Sequence, residues 1–197
     1  CSQTSKYVTF AFAPTGTVFS QKLVVFAIDD NPSFATLQSR AHEAWVLCFG
    51  STMKDDPVYA TTDCFDTFPF PPDWESSPAL EAAGKTYYDF RAALMVRNNQ
   101  GLTTTYNRFH DPDEHDPDIH QLRDLHAAMD RAVLDAYGWT DLHPTCEFLL
   151  DYEDPEDDDD DAGKRKKKKP WRYRWPDDLR DEVLARLIAL NRKRAEQ

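Results

Sequence analysis

Glycine is scarce in this sequence, six residues in 197. No G-x-G-x-x-G run and no P-loop occurs, so the glycine-rich cradles that hold nucleotide phosphates or dinucleotides are excluded. Cysteine is also sparse. Cys1, Cys48, Cys64 and Cys146 form no CxxC pair, which removes zinc knuckles and disulfide frameworks and leads us to expect ordinary thiols in a reducing, cytoplasmic setting. No stretch approaches the ~18 apolar residues needed to span a bilayer, so no membrane partner is expected. Positive charge is short as well. Twenty-three Lys and Arg stand against 35 Asp and Glu, a formal net charge of −12, which taken whole argues against a polyanionic partner.

What is present is enough for a folded domain. Hydrophobic residues make up 41% and aromatics 13%, sufficient for one core at this length. The acidity is also uneven. Residues 1–100 carry 7 basic against 11 acidic side chains, whereas 101–150 carry 3 against 10. A neutral or basic face therefore remains open to the first hundred residues.

Patterning predicts an α+β chain: a small, mostly antiparallel sheet with a packed helix, then a helical spacer and a C-terminal helix. KYVTFAFAPTGTVFSQKLVVFAIDD reads as two strands, an alternating one over 7–13 and a continuous apolar run over Leu23–Ile28, with turn chemistry at Pro14-Thr15-Gly16. One helix is expected from Asn31 as cap and Pro32 at the first position to Gly50. A short strand, a turn and an aromatic-proline closure (Pro69, Pro71, Pro72) follow. Further helices are expected over 78–98 and from the Asp116 cap and Pro117 to Gly138, with Leu179, Val183, Leu187 and Leu190 as the seam of a last one. Nine acidic residues in 151–161 precede eight basic ones in 164–174, a block design that buries nothing. The expected divisions are 1–72 (β-rich), 73–150 (spacer), 151–174 (low-complexity insert) and 175–197 (helix).

GLTTTYNRFHDPDEHDPDIH crowds three histidines and five acids into 101–120. A helix-borne metal pair needs ligands at i and i+4. His110 and His115 are five apart, His120 and His126 six, and no calcium-loop spacing appears. The expectation is a capped turn, with no metal. Asn31-Pro32-Ser33-Phe34 nearly matches the (Asp/Asn/Ser)-Pro-Pro-aromatic tetrad of amino-methyltransferases, but Ser33 replaces the second proline and the residues suit a helix start. No G-x-S-x-G elbow is present. Asp55-Asp56-Pro57 lacks the Glu-x-Lys partner of a nuclease. The tract KRKKKKPWRYRW interleaves cations with Trp171, Tyr173 and Trp175, which suits phosphates and bases. Its acidic neighbour neutralises it, so a solvated insert is the preferred reading.

The order VTFAFAPTGTVFSQKLVVFA, FATLQSRAHEAW, DCFDTFPFP, GLTTTYNRFHDPDEHDPDI, LHAAMDRAVLDAYGW and RYRWPDDLRDEVLARLIALNRKRAEQ resembles the C-terminal part of restriction–modification DNA adenine methyltransferases. These are the type IIG class and the related methylases of bacterial phage-exclusion systems. The FPFP stretch before a long helix also resembles the spacer exit of type I specificity subunits. The resemblance implies the later part of a target-recognition domain and a helical tail, with the methyltransferase domain and its S-adenosylmethionine upstream on the same chain. It implies double-stranded DNA as partner and no catalytic, cofactor or metal residue in this fragment. The DNA-facing groups expected on that basis are Thr15, Thr17, Ser20, Gln21 and Lys22 around the hairpin, Lys54 and Tyr59 beyond the first helix, and Asn107 and Arg108. A protein-interaction module of a phage-defence complex is the alternative, favoured by the acidity.

Overall fold

A computed structural model describes residues 1–53, 56–151 and 170–196. Among these lie seven α-helices and two small antiparallel sheets, an α+β architecture with a C-terminal helix, as the patterning predicts. The acidic–basic block falls for 152–169 outside the described residues, as does Lys54.

The centre is helical. α4 (Pro78–Asn98) packs between α1 (Asn31–Gln38) and α6 (Pro117–Ala136). The sequence dictates this locally. Leu80, Gly84, Tyr87, Arg91 and Leu94 recur every three or four residues and are the buried face of α4. Ser77 caps it by accepting from the Leu80 N–H, and Pro78 fills a first-turn position where a missing N–H costs nothing. In α6 the Asp116 carboxylate accepts from the Asp118 N–H at 2.9 Å. At its far end Gly138, at φ 78°, lets the Trp139 N–H reach back to the Leu134 carbonyl. α7 (Asp177–Ala195) lays Val183 and Leu187 against α2 (Arg40–Phe49).

The single helix expected over 31–50 is two. Ser39 takes an extended conformation, its hydroxyl donating to the Thr36 carbonyl at 2.7 Å and accepting from the His42 N–H. It ends α1 and caps α2. The cap of α1 is Asp30, whose side chain accepts from the Ser33 N–H at 2.7 Å, not Asn31. Between α4 and α6, GLTTTYNRF forms a helix of its own, α5 (Leu102–Phe109), where only a turn was expected.

The β-rich reading of 1–72 needs correction too. Strands in this part are β1 (Ser51–Met53) and β2 (Asp56–Val58), with bridges Ser2–Leu23 and Thr4–Val58. Residues 1–5 therefore run between the 22–24 segment and β2. Residues 7–13 are not a ladder strand, and the reason is visible in two buried side chains. Gln38 accepts from the Phe10 N–H at 3.0 Å, and Arg91 donates to the Phe10 carbonyl. Side chains thus satisfy the backbone groups that a neighbouring strand would otherwise pair. Conversely, β3 (Glu147–Leu150) pairs with β4 (Trp171–Arg174), so the last residues of the expected solvated insert are ordered strand.

Candidate nucleic-acid interface

The loop over 14–22 stands out from the helical body. Gly16, at φ 86°, makes the turn, and Thr17 closes it with a 2.8 Å bond from its hydroxyl to the Pro14 carbonyl. Ser20 accepts from the Lys22 N–H and its carbonyl takes the Leu23 N–H. The Gln3 N–H bonds the Lys22 carbonyl at 2.8 Å, anchoring the return. Thr15, Thr17, Ser20, Gln21 and Lys22 are all exposed. Thr17 and Ser20 hold the turn, which leaves Thr15, Gln21 and Lys22 as its outward polar groups. Val18, 96% exposed, shares the loop.

Tyr59 does not belong with them. It is buried at 3% exposure, its ring packed on Phe10 and Phe26 and its hydroxyl 3.0 Å from His42 Nε2. Burial pushes the phenol well above its usual range. Its apolar ring and single polar tip fit a core position with one partner, so Tyr59 supports the fold rather than facing DNA.

Asn107 and Arg108 lie at the C-terminal end of α5 and point to different tasks. Arg108 is taken up by carboxylates: Nε meets Glu114 at 2.6 Å and Nη2 meets Asp116 at 2.7 Å. These bonds to Arg108 hold the Glu114 and Asp116 carboxyls below their usual range. Arg108 therefore ties the acidic turn to its own helix. Asn107 is exposed, and its Oδ1 accepts from both Lys6 Nζ and the Tyr7 hydroxyl, each at 2.8 Å.

His110 and His120 of the same stretch have structural partners. His110 stacks on Tyr7 with ring centroids 4.9 Å apart, and its Nδ1 accepts from the Tyr173 N–H of β4 at 3.0 Å. Burial first, then the nearby cations Arg172, Arg40 and Lys6, hold it neutral, well below the usual histidine range. His120 Nε2 lies 2.9 Å from the Glu114 carbonyl. Among the described residues no three His, Cys, Asp or Glu side chains converge as a metal site would require.

β4 brings in a residue the sequence reading set aside. The Arg172 guanidinium lies 4.7 Å from the Tyr7 ring centroid and its Nε meets Asp151 at 2.8 Å. Alternation of cations with aromatics in PWRYRW is its signal in the sequence, and the acidic block beside it masks that signal. Lys6 had no local signal at all. Its significance comes from Asn107, 101 residues away.

The near-tetrad Asn31–Phe34 opens α1. Asn31 donates its amide to Glu81 at 2.7 Å, and Phe34 is 3% exposed beneath Phe12, Tyr87 and Tyr88. A phenylalanine packed there has no open face for a base, so these residues do not fit a target-amine pocket. Residues 1–72 match the family model of the MmeI target recognition domain. The match covers just over a third of the chain. It supports sequence-specific DNA recognition, in a restriction–modification system, as the role of those residues. None of the curated proteins or solved structures compared with the chain matches it significantly. Lys6 and the 14–22 loop fall inside the matched recognition domain, while Asn107 and Arg172 reach it from outside.

Proposed function

We propose that this chain reads a double-stranded DNA sequence on behalf of an N6-adenine methyltransferase of a bacterial restriction–modification system, whose catalytic domain and S-adenosylmethionine lie upstream on the same polypeptide. The match of residues 1–72 to a target recognition domain is the observation that carries this reading. The loop geometry agrees with it. A recognition loop must present donors and acceptors to base edges from a fixed framework. Thr15, Gln21 and Lys22 are exposed on a turn whose backbone is held at Pro14, Ser20 and Gln3. The fragment itself is read as non-catalytic, working in the cytoplasm as part of a phage-defence enzyme.

Selection from a library of random DNA duplexes with the purified chain tests the reading. Enrichment of one short motif is expected, and Gln21→Ala should broaden the motif at one position. A pool that stays random would overturn the proposal. It would favour the protein-interaction alternative, which the net charge of −12 supports.

A further inference from the structure

Around Tyr7 the structure gathers polar groups of one kind. Asn107 Oδ1 takes two donors, from Lys6 and from Tyr7. An oxygen held twice fixes the amide's orientation, with Oδ1 inward and the NH2 group turned away. Among the described residues that NH2 meets no acceptor. The Lys6 ammonium lies 5.0 Å from the Tyr7 ring centroid and the Arg172 guanidinium 4.7 Å from it. Lys6, Asn107 and Arg172 therefore present only N–H donors around one buried ring. Asp151 engages the Arg172 Nε.

A helix C-terminus beside such a site would ordinarily repel an anion through its free carbonyls. Here Arg123 covers them, donating from Nε to the Phe109 carbonyl (2.9 Å) and from Nη2 to those of Arg108 (3.2 Å) and Asp111 (2.8 Å). The neutral imidazole of His110 adds no charge of its own.

We propose that Lys6, Asn107 and Arg172 form a phosphodiester-binding site that fixes the DNA backbone against the recognition domain. The proposal rests on the DNA-recognition reading above and adds where the backbone is held. A donor-only cluster selects an acceptor-only ligand. Phosphate oxygens satisfy this, and so does the O6/N7 edge of guanine. The Lys6 charge, with that of Arg172 partly offset by Asp151, favours the phosphate, whose contacts position a protein without reading sequence.

The test measures anisotropy of labelled duplexes, one with the selected motif and one scrambled, titrated with the chain at 50 to 200 mM salt. Lys6→Ala should weaken both duplexes by the same factor and reduce the salt slope by about one. Its deficit should shrink by about 3.5-fold across that salt range, as expected for one released counterion. Lys6→Arg should keep the slope, and Asn107→Asp should bind less tightly than Asn107→Ala because it places an anion in the site. Melting curves check that each variant is folded. If wild type binds and Lys6→Ala keeps both affinity and slope, the site is wrong while recognition stands. A loss confined to the motif duplex, at unchanged slope, assigns the cluster to a base edge and overturns the phosphate. If wild type binds neither duplex, the recognition reading itself fails.

Discussion

Arg40 and Asp130 show how much a single buried pair is asked to do. Their side chains are 3% and 0% exposed and meet at 2.7 Å. Asp130 also accepts the Arg40 backbone N–H at 2.9 Å, joining the first turn of α2 to α6. Arg40 reaches on to His126 Nδ1 and to the Tyr173 carbonyl of β4. With the guanidinium donating to Nδ1, the imidazole serves as an acceptor there and stays neutral, its pKa lowered first by burial and then by Arg40. Asp130→Ala should cost about 3–5 kcal/mol in urea unfolding, because it leaves the Arg40 charge buried and unpaired. The double change Arg40→Met with Asp130→Leu should recover most of that loss. A single-variant cost below about 1 kcal/mol would contradict the assignment. None of this was legible beforehand. Partners 90 residues apart leave no spacing to read, whereas the Asp116 cap and Pro117, adjacent in sequence, were plain.

At the scale of elements, α4 meets α1 at a glycine. Replacing a helical Gly by Ala usually stabilises by about 1 kcal/mol through backbone entropy. At Gly84 a Cβ would stand 2.3 Å from the Asn31 carbonyl oxygen and 3.2 Å from the Ala35 Cβ. The backbone of α1 must move to admit it, so the sign reverses. Gly84→Ala should lose about 1–3 kcal/mol, read as a lower urea midpoint, and a stabilised variant would show that the helices separate freely. The long helices were visible from their periodicity and caps. The strand expected over 7–13 is absent: an apolar extended run looks alike whether a ladder or the side chains of Gln38 and Arg91 satisfy it. β4 was hidden by charge. Block neutrality said nothing about Arg172 lying over Tyr7, and that same blind spot concealed the cationic half of the candidate interface.

Whole-molecule stability should depend on pH through three histidines. Burial lowers His42 to about 3. It also lowers His110 and His126, each further depressed by nearby cations. Unfolded, each would titrate near 6.5. A folded pKa below the unfolded one gives stability that is complete above about 6.5 and is lost as pH falls toward the folded value. His42, neutral throughout that interval, should cost about 2 kcal/mol between pH 7.5 and pH 5. Carboxylates such as Glu114 and Asp116, held below their usual range, act at lower pH and leave this window to the imidazoles. Urea midpoints at both pH values should therefore fall with acid, and His42→Gln should flatten the dependence. Equal midpoints at pH 7.5 and 5 would refute it.

β3 and β4 carry one consequence for how the chain closes on itself. The Asp151 N–H bonds the Pro170 carbonyl at 2.9 Å, so the points where the chain departs and returns are clamped together by the hairpin itself. Closing a gap that is already fixed costs entropy only logarithmically in the length of the connecting chain, about 0.6 kcal/mol per doubling. The hairpin is thus a socket. The register of β3 on β4 therefore answers to the hairpin's own pairing, and the length of whatever chain joins its two contacts enters only through the logarithm of loop closure.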